Sequence, residues 1–68
     1  MKIFQKRLIE LRKQYGYTQN MIAEKLSIKQ PSYIRYEKGE ADPTLENLVK
    51  IADIFDVSVD YLLGRADI

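Results

Sequence analysis

Residues 18–39 read TQNMIAEKLSIKQPSYIRYEKG, and their punctuation predicts two short helices joined by a tight turn. Thr18 is a good helix N-cap, because its hydroxyl can accept from a backbone N–H that has no partner inside the helix. Three residues on stands Met21 rather than Glu or Gln, so a reciprocal capping box is not expected. Ile22, Ala23 and Leu26 give this helix its buried face. Only Ser27, Ile28 and Lys29 separate Leu26 from the next helical run, Gln30 to Lys38, which Gly39 ends. Pro31 looks misplaced there, but in a first turn its missing N–H costs nothing and its fixed φ helps. Two helices this close, with an apolar residue inside the connection, read as a helix–turn–helix unit.

The flanks extend the same period. Phe4, Leu8, Leu11 and Tyr15 form one apolar stripe on a first helix that Gly16 closes. After the turn Glu40-Ala-Asp-Pro43, Thr44 caps a fourth helix with Leu45, Leu48, Ile51, Ala52 and Phe55 on its inner face. Ser58 caps a short last helix, with Leu62 and Leu63 near Gly64. β-branched residues rarely alternate and the period stays near 3.6. The expectation is an all-α domain of five short helices occupying residues 1–68, with neither internal repeat nor interdomain linker.

Composition narrows the chemistry. With no cysteine and no histidine, neither a disulfide nor a structural zinc site is expected, and stability must come from packing. Catalysis lacks its usual groups: no His or Cys, no Gly-rich phosphate loop, and only Asp56 and Asp60 as a polar carboxylate pair. No enzyme activity, cofactor or metal is expected. The N-terminal MKIFQKRLIELRK carries a charge every few residues, unlike a signal peptide, and no apolar run approaches the roughly 18 residues of a membrane span. A cytoplasmic protein is expected.

Charge points to a partner. Residues 1–38 hold nine basic and three acidic residues, net +6, whereas residues 39–68 hold two basic and seven acidic, net −5. That asymmetry turns the first half toward a polyanion. In a helix–turn–helix the second helix enters the DNA major groove with its N-terminal residues on base edges. Gln pairs bidentately with adenine and Arg with guanine O6 and N7. Gln30 in the first turn and Arg35 five residues on can therefore meet different base pairs, and Ser32 is small enough for close approach.

The stretch TQNMIAEKLSIKQPSYIRYEKGEADPTLENLVKIADIFDVSVDYLLG resembles the helix–turn–helix domain of the phage repressor and Cro (Xre-like) family. The resemblance spans about residues 8–64. It rests on Thr18-Gln19, Ala23 with Leu26, Tyr36-Glu37-Lys38-Gly39, Pro43-Thr44-Leu45, Ala52 and Val57-Ser58. It implies a compact, lambda-repressor-like fold of five helices that binds double-stranded DNA as a transcriptional regulator, expected to be a repressor. Gln30, Pro31, Ile34 and Arg35 match its groove-facing positions; Tyr33 and Tyr36 match core positions. Gln19 matches its phosphate-contacting glutamine, and Lys38 is placed for a second phosphate. Arg12 and Glu37 match an ion pair tying the first helix to the third. Family members bind palindromic sites as dimers, so a homodimer is expected, with Val59, Tyr61, Leu63 and Ile68 as candidate interface residues in the acidic half.

The chain departs from the family pattern at four places. Ser27 occupies the turn position usually held by Gly, which implies backbone strain or a different path. Lys29 replaces a capping Ser or Thr and adds a phosphate-seeking charge. Ile34 is apolar where relatives are polar, suited either to core packing or to a thymine methyl. The loop holding Glu40 and Asp42 is acidic where some relatives contact DNA. A second reading keeps the fold but assigns it to protein interaction, as an adaptor or antitoxin-type module. A third makes these residues the DNA-binding half of a longer regulator.

Overall fold

A computed structural model describes all 68 residues. It contains α1 (Lys2–Gln14), α2 (Gln19–Lys25), α3 (Gln30–Lys38), α4 (Leu45–Ile54) and α5 (Val59–Leu62), and no strand. The five expected helices are present. None is long and apolar enough to cross a membrane. Residues at i, i+4 and i+7 fall on one side of a helix, so Phe4, Leu8 and Leu11 of α1 meet Ile22 and Ala23 of α2, Tyr33 and Tyr36 of α3, and Ile51 and Ala52 of α4 in one core. Leu26, Phe55 and Leu62 complete it.

Three helices begin on hydroxyl caps. Thr18 accepts from Met21 N–H, Thr44 from Asn47 N–H and Ser58 from Tyr61 N–H. One expectation is corrected at the first of these. The Thr18 N–H donates to Met21 Sδ at 3.4 Å, so a capping box does form, with a thioether acting as the weak acceptor. Lys29 starts α3 with no side-chain cap, and Pro31 in that first turn removes one of the donors a cap would satisfy.

All five helices stop in the same way. A residue two or three places beyond the helix end sends its N–H back to a carbonyl five residues earlier: Tyr17 to Arg12, Ile28 to Ala23, Glu40 to Arg35, Val57 to Ala52 and Arg65 to Asp60. This closure requires a left-handed residue just before the returning N–H. Glycine fills that place at three of the ends, but Ser27 (φ +58°) and Asp56 (φ +52°) fill the other two. The strain expected at Ser27 is real, and Asp56 shares it without any local signal in the sequence. Ile28 and Val57, the residues that follow, pack against the core, and their burial holds both turns closed.

Two apolar residues do not sit where the periodicity puts them. Leu45 is 83% exposed, because the first turn of α4 runs past the edge of the core and only Leu48 onward finds neighbours. Tyr15 lies beyond the last turn of α1 and is exposed at 43%. Its ring meets Phe55 edge-on at 5.2 Å and its hydroxyl donates to the Phe55 carbonyl at 2.8 Å. At the other end, Arg7 of α1 stacks over the Tyr61 ring and donates to the Tyr61 and Ala66 carbonyls, holding down the tail beyond α5. This clamp had no signature in the sequence.

A left-handed non-glycine residue costs about 1–2 kcal/mol, offset in part by the greater unfolded-state freedom of glycine. Ser27→Gly is therefore expected to stabilise the fold by about 0.5–1 kcal/mol. Asp56→Gly is expected to stabilise it less, since Asp tolerates this region better. Urea denaturation of the two variants checks both; a destabilised Ser27→Gly would contradict the strain.

Candidate nucleic-acid interface

Three residues turn α3 toward the core: Tyr33, Tyr36 and Glu37, at i, i+3 and i+4. Glu37 is the only buried charged residue in the chain, and burying a carboxylate is costly unless it is paired and fully hydrogen-bonded. Here it is both. Oε2 accepts from Arg12 Nε at 2.6 Å and from the Tyr33 hydroxyl at 2.5 Å. Oε1 accepts from an Arg12 Nη at 3.2 Å and from Gln19 Nε2 at 3.1 Å. The arginine fork thus grips the carboxylate with two donors, while its remaining Nη donates to the Tyr17 carbonyl at 3.1 Å. Gln5 Nε2 adds a bond to the Glu37 carbonyl at 3.3 Å. Side chains from α1 and α2 therefore converge on one residue of α3, and no buried side-chain polar atom is left unpartnered.

Titration follows the geometry. Burial raises the Glu37 pKa, but the hydrogen bonds from Arg12, Tyr33 and Gln19 outweigh it and hold the carboxyl below its ordinary value. The Tyr33 phenol is pushed up, first by burial and then by its bond to Glu37, so it stays protonated and donates. The hydrogen bond to Glu37 raises Arg12 against the opposing effect of burial.

The other side of α3 faces solvent. At 100° per residue, Pro31, Arg35 and Lys38 form the line opposite the tyrosines. Gln30 and Ile34 run along one flank and Ser32 lies on the other. Gln30, Pro31, Ser32, Arg35 and Lys38 are exposed, and Ile34 is half-buried. Neither Lys29 nor Lys38 is in a salt bridge. Arg35 has one long contact, from Nη2 to the Glu40 carbonyl at 3.4 Å, which leaves most of its donors free.

Gln19 is half-buried, and its amide nitrogen is engaged by Glu37. A primary amide has two N–H groups, so one remains. The link from Gln19 and Tyr33 into the carboxylate is not legible in the sequence, where only the i, i+4 spacing of Tyr33 and Glu37 hints at it. Of the four residues assigned to a dimer surface, Val59 and Tyr61 pack against the core, Leu63 is half-buried and Ile68 is 93% exposed.

The family model described as Helix-turn-helix matches residues 8–62. The chain belongs to that helix-turn-helix family. The resemblance read from the sequence is thereby borne out, and the family consists of regulators, not enzymes. Among relatives of this helix-turn-helix chain is the Cryptic phage CTXphi transcriptional repressor RstR of Vibrio cholerae, 49% identical over 96% of this chain and 57% of that protein. Another is the HTH-type transcriptional regulator ImmR of Bacillus subtilis, 43% identical over 93% of this chain and 50% of that protein. The HTH-type transcriptional regulator AnsR of Bacillus subtilis is 44% identical over 87% of this chain and 51% of that protein. The chain spans about half the length of these curated relatives. No solved structure gives a significant match.

Because the folded Glu37 carboxyl lies below its unfolded value, its contribution is full above about pH 4.3, the ordinary Glu value, and is lost as pH falls through the lower folded value. Unfolding free energy is expected to decline in that acid range, with a shallower decline in Glu37→Gln. Arg12→Ala leaves the carboxylate buried (6% side-chain exposure) without its cation and is expected to cost about 3 kcal/mol near neutral pH. Urea titrations across pH check both outcomes.

Proposed function

We propose that this chain is the sequence-specific DNA-binding module of a cytoplasmic transcriptional regulator, acting as a repressor. It docks α3 in the major groove of double-stranded DNA and binds a palindromic operator as a homodimer. The observation that carries this reading is the division of α3 into two faces. One is fixed by the enclosed Arg12–Glu37 pair; the other presents Gln30, Ser32 and Arg35 to solvent with hydrogen-bonding groups available.

In this reading Gln30 and Arg35 supply bidentate contacts of the kind that distinguish adenine and guanine. Pro31, on the central line, and Ile34, on the flank beside it, give apolar contacts suited to a thymine methyl, and Ser32 meets a base edge or phosphate at close range. Phosphate contacts come from Lys29, from Lys38 and from the second amide N–H of Gln19, fixing register without reading sequence. The unpaired cations of the first half support this assignment, as do the transcriptional regulators among its relatives. A palindrome follows from two-fold symmetry, with half-sites about one helical turn apart.

Selection of duplexes from a random pool, followed by fluorescence anisotropy, tests the reading. Gln30→Ala or Arg35→Ala is expected to cost about 1–3 kcal/mol at one base position and to relax preference there. Lys38→Ala is expected to weaken all sequences alike and to reduce the salt slope by about 1. Unchanged discrimination in Arg35→Ala would reject the assigned face. Absence of duplex binding even at low salt would reject the DNA reading in favour of a protein-interaction module.

A further inference from the structure

Met21 stands apart from the other apolar residues of α2. Ile22 and Ala23 are buried, but Met21 is 40% exposed and takes no part in the core. Its thioether instead folds back over the start of its own helix, where Sδ lies 3.4 Å from the Thr18 backbone nitrogen. That N–H has no other partner. The reciprocal bond, from the Met21 N–H to the Thr18 hydroxyl, is 3.1 Å long. One half of this capping box is therefore ordinary and the other is weak, because a thioether sulfur is a poor acceptor.

The same sulfur is the reactive atom of the side chain. A peroxide oxidises an accessible thioether in one step. A sulfur lone pair attacks one peroxide oxygen, an S–O bond forms as the O–O bond breaks, and the second oxygen leaves as water. Sulfur loses two electrons, the peroxide gains them, and the product is methionine sulfoxide. In a core this change is damaging, since it sets a polar group among apolar ones. At Met21, outside the core, that cost does not arise. What changes is the acceptor. The sulfoxide oxygen is strongly polarised and stands one bond beyond the sulfur, on a side chain with three rotatable bonds. A small rotation brings it within ordinary N–H···O distance of Thr18, and its partial negative charge faces the positive end of the α2 dipole. The neighbours of Thr18 are already anchored: Arg12 donates to the Tyr17 carbonyl, and Gln19 donates to the Glu37 carboxylate. A firmer bond at Thr18 closes the gap between those two anchors.

We propose that Met21 is an oxidation site at which peroxide strengthens the start of α2 instead of breaking it. The thioether is the weak form of the cap and the sulfoxide is the strong form. Methionine sulfoxide reductases, each acting on one sulfoxide epimer, return the second to the first. The inference needs no DNA contact and stands apart from the groove assignment of α3.

Hydrogen peroxide treatment of the folded chain, followed by peptide mass mapping, thermal melts and amide exchange, tests this. The other methionine, Met1, is 54% exposed and lines a cavity beside Phe4 and Leu48. Treated Met21→Leu, in which only Met1 can react, measures the contribution of Met1. Beyond any change in that control, treatment of the unaltered chain is expected to add one oxygen at Met21 and to raise the melting temperature by about 2–6 °C. Exchange of the Thr18 amide is expected to slow about threefold or more. Met21→Gln supplies a carboxamide oxygen at the same place and is expected to show both effects without peroxide. Reduction by the two reductases together is expected to restore the untreated melt. No gain over treated Met21→Leu, a lower melt, or a Thr18 amide that exchanges as before overturns the proposal. So does a Met21 that stays unoxidised under conditions that convert Met1.

Discussion

The buried carboxylate of Glu37 is the constraint on which the rest of the molecule depends. Apolar contacts hold helices together without saying much about their rotation, because dispersion and the hydrophobic effect have little direction. Hydrogen bonds do have direction. Four of them end on the two oxygens of Glu37, from Arg12, Tyr33 and Gln19, and they fix how far α3 is turned about its own axis. A rotation of one residue, 100°, would carry the carboxylate toward solvent and draw Arg35 toward the core. The ion pair need not add much net stability, since its desolvation cost offsets its attraction. What it supplies is an unambiguous orientation for α3.

Most of the architecture was legible because helix ends are written locally. Thr18, Thr44 and Ser58 announce three starts, Gly16, Gly39 and Gly64 announce three stops, and the apolar period between them names most of the core. The errors share a physical origin. Leu45 continues the α4 stripe in sequence, but periodicity reports a helix face and not how far a neighbour extends beneath it. Met21 carries no capping signature in sequence because capping rules are stated for carboxamides and carboxylates, whereas a thioether reaches the same N–H. Asp56 showed nothing of its left-handed backbone, because the return of Val57 to the core imposes it. At the candidate site, the exposed polar residues of α3 could be named from composition and position. The bonds from Tyr33 and Gln19 into Glu37 could not, because they depend on where a side chain distant in sequence comes to lie.

The five identical helix ends also account for the small size of the fold. Each stop reverses the chain in a few residues while satisfying its own last carbonyls, so no connection needs a long loop. The radius of gyration is 10.6 Å. Two of the reversals use residues ill suited to them, and there the packing of Ile28 and Val57 outweighs local backbone preference.

The separation of the two faces of α3 has a consequence for how such a protein changes over time. Residues that keep the helix in place, Tyr33, Tyr36 and Glu37, are buried, whereas Gln30, Pro31, Ser32, Arg35 and Lys38 contribute nothing to the core. If the outer face reads DNA as proposed, substitutions on it escape the usual coupling between altered specificity and lost stability. A lineage can exchange one outer residue for another and try a new target while the scaffold, and its tolerance for the next change, stays intact.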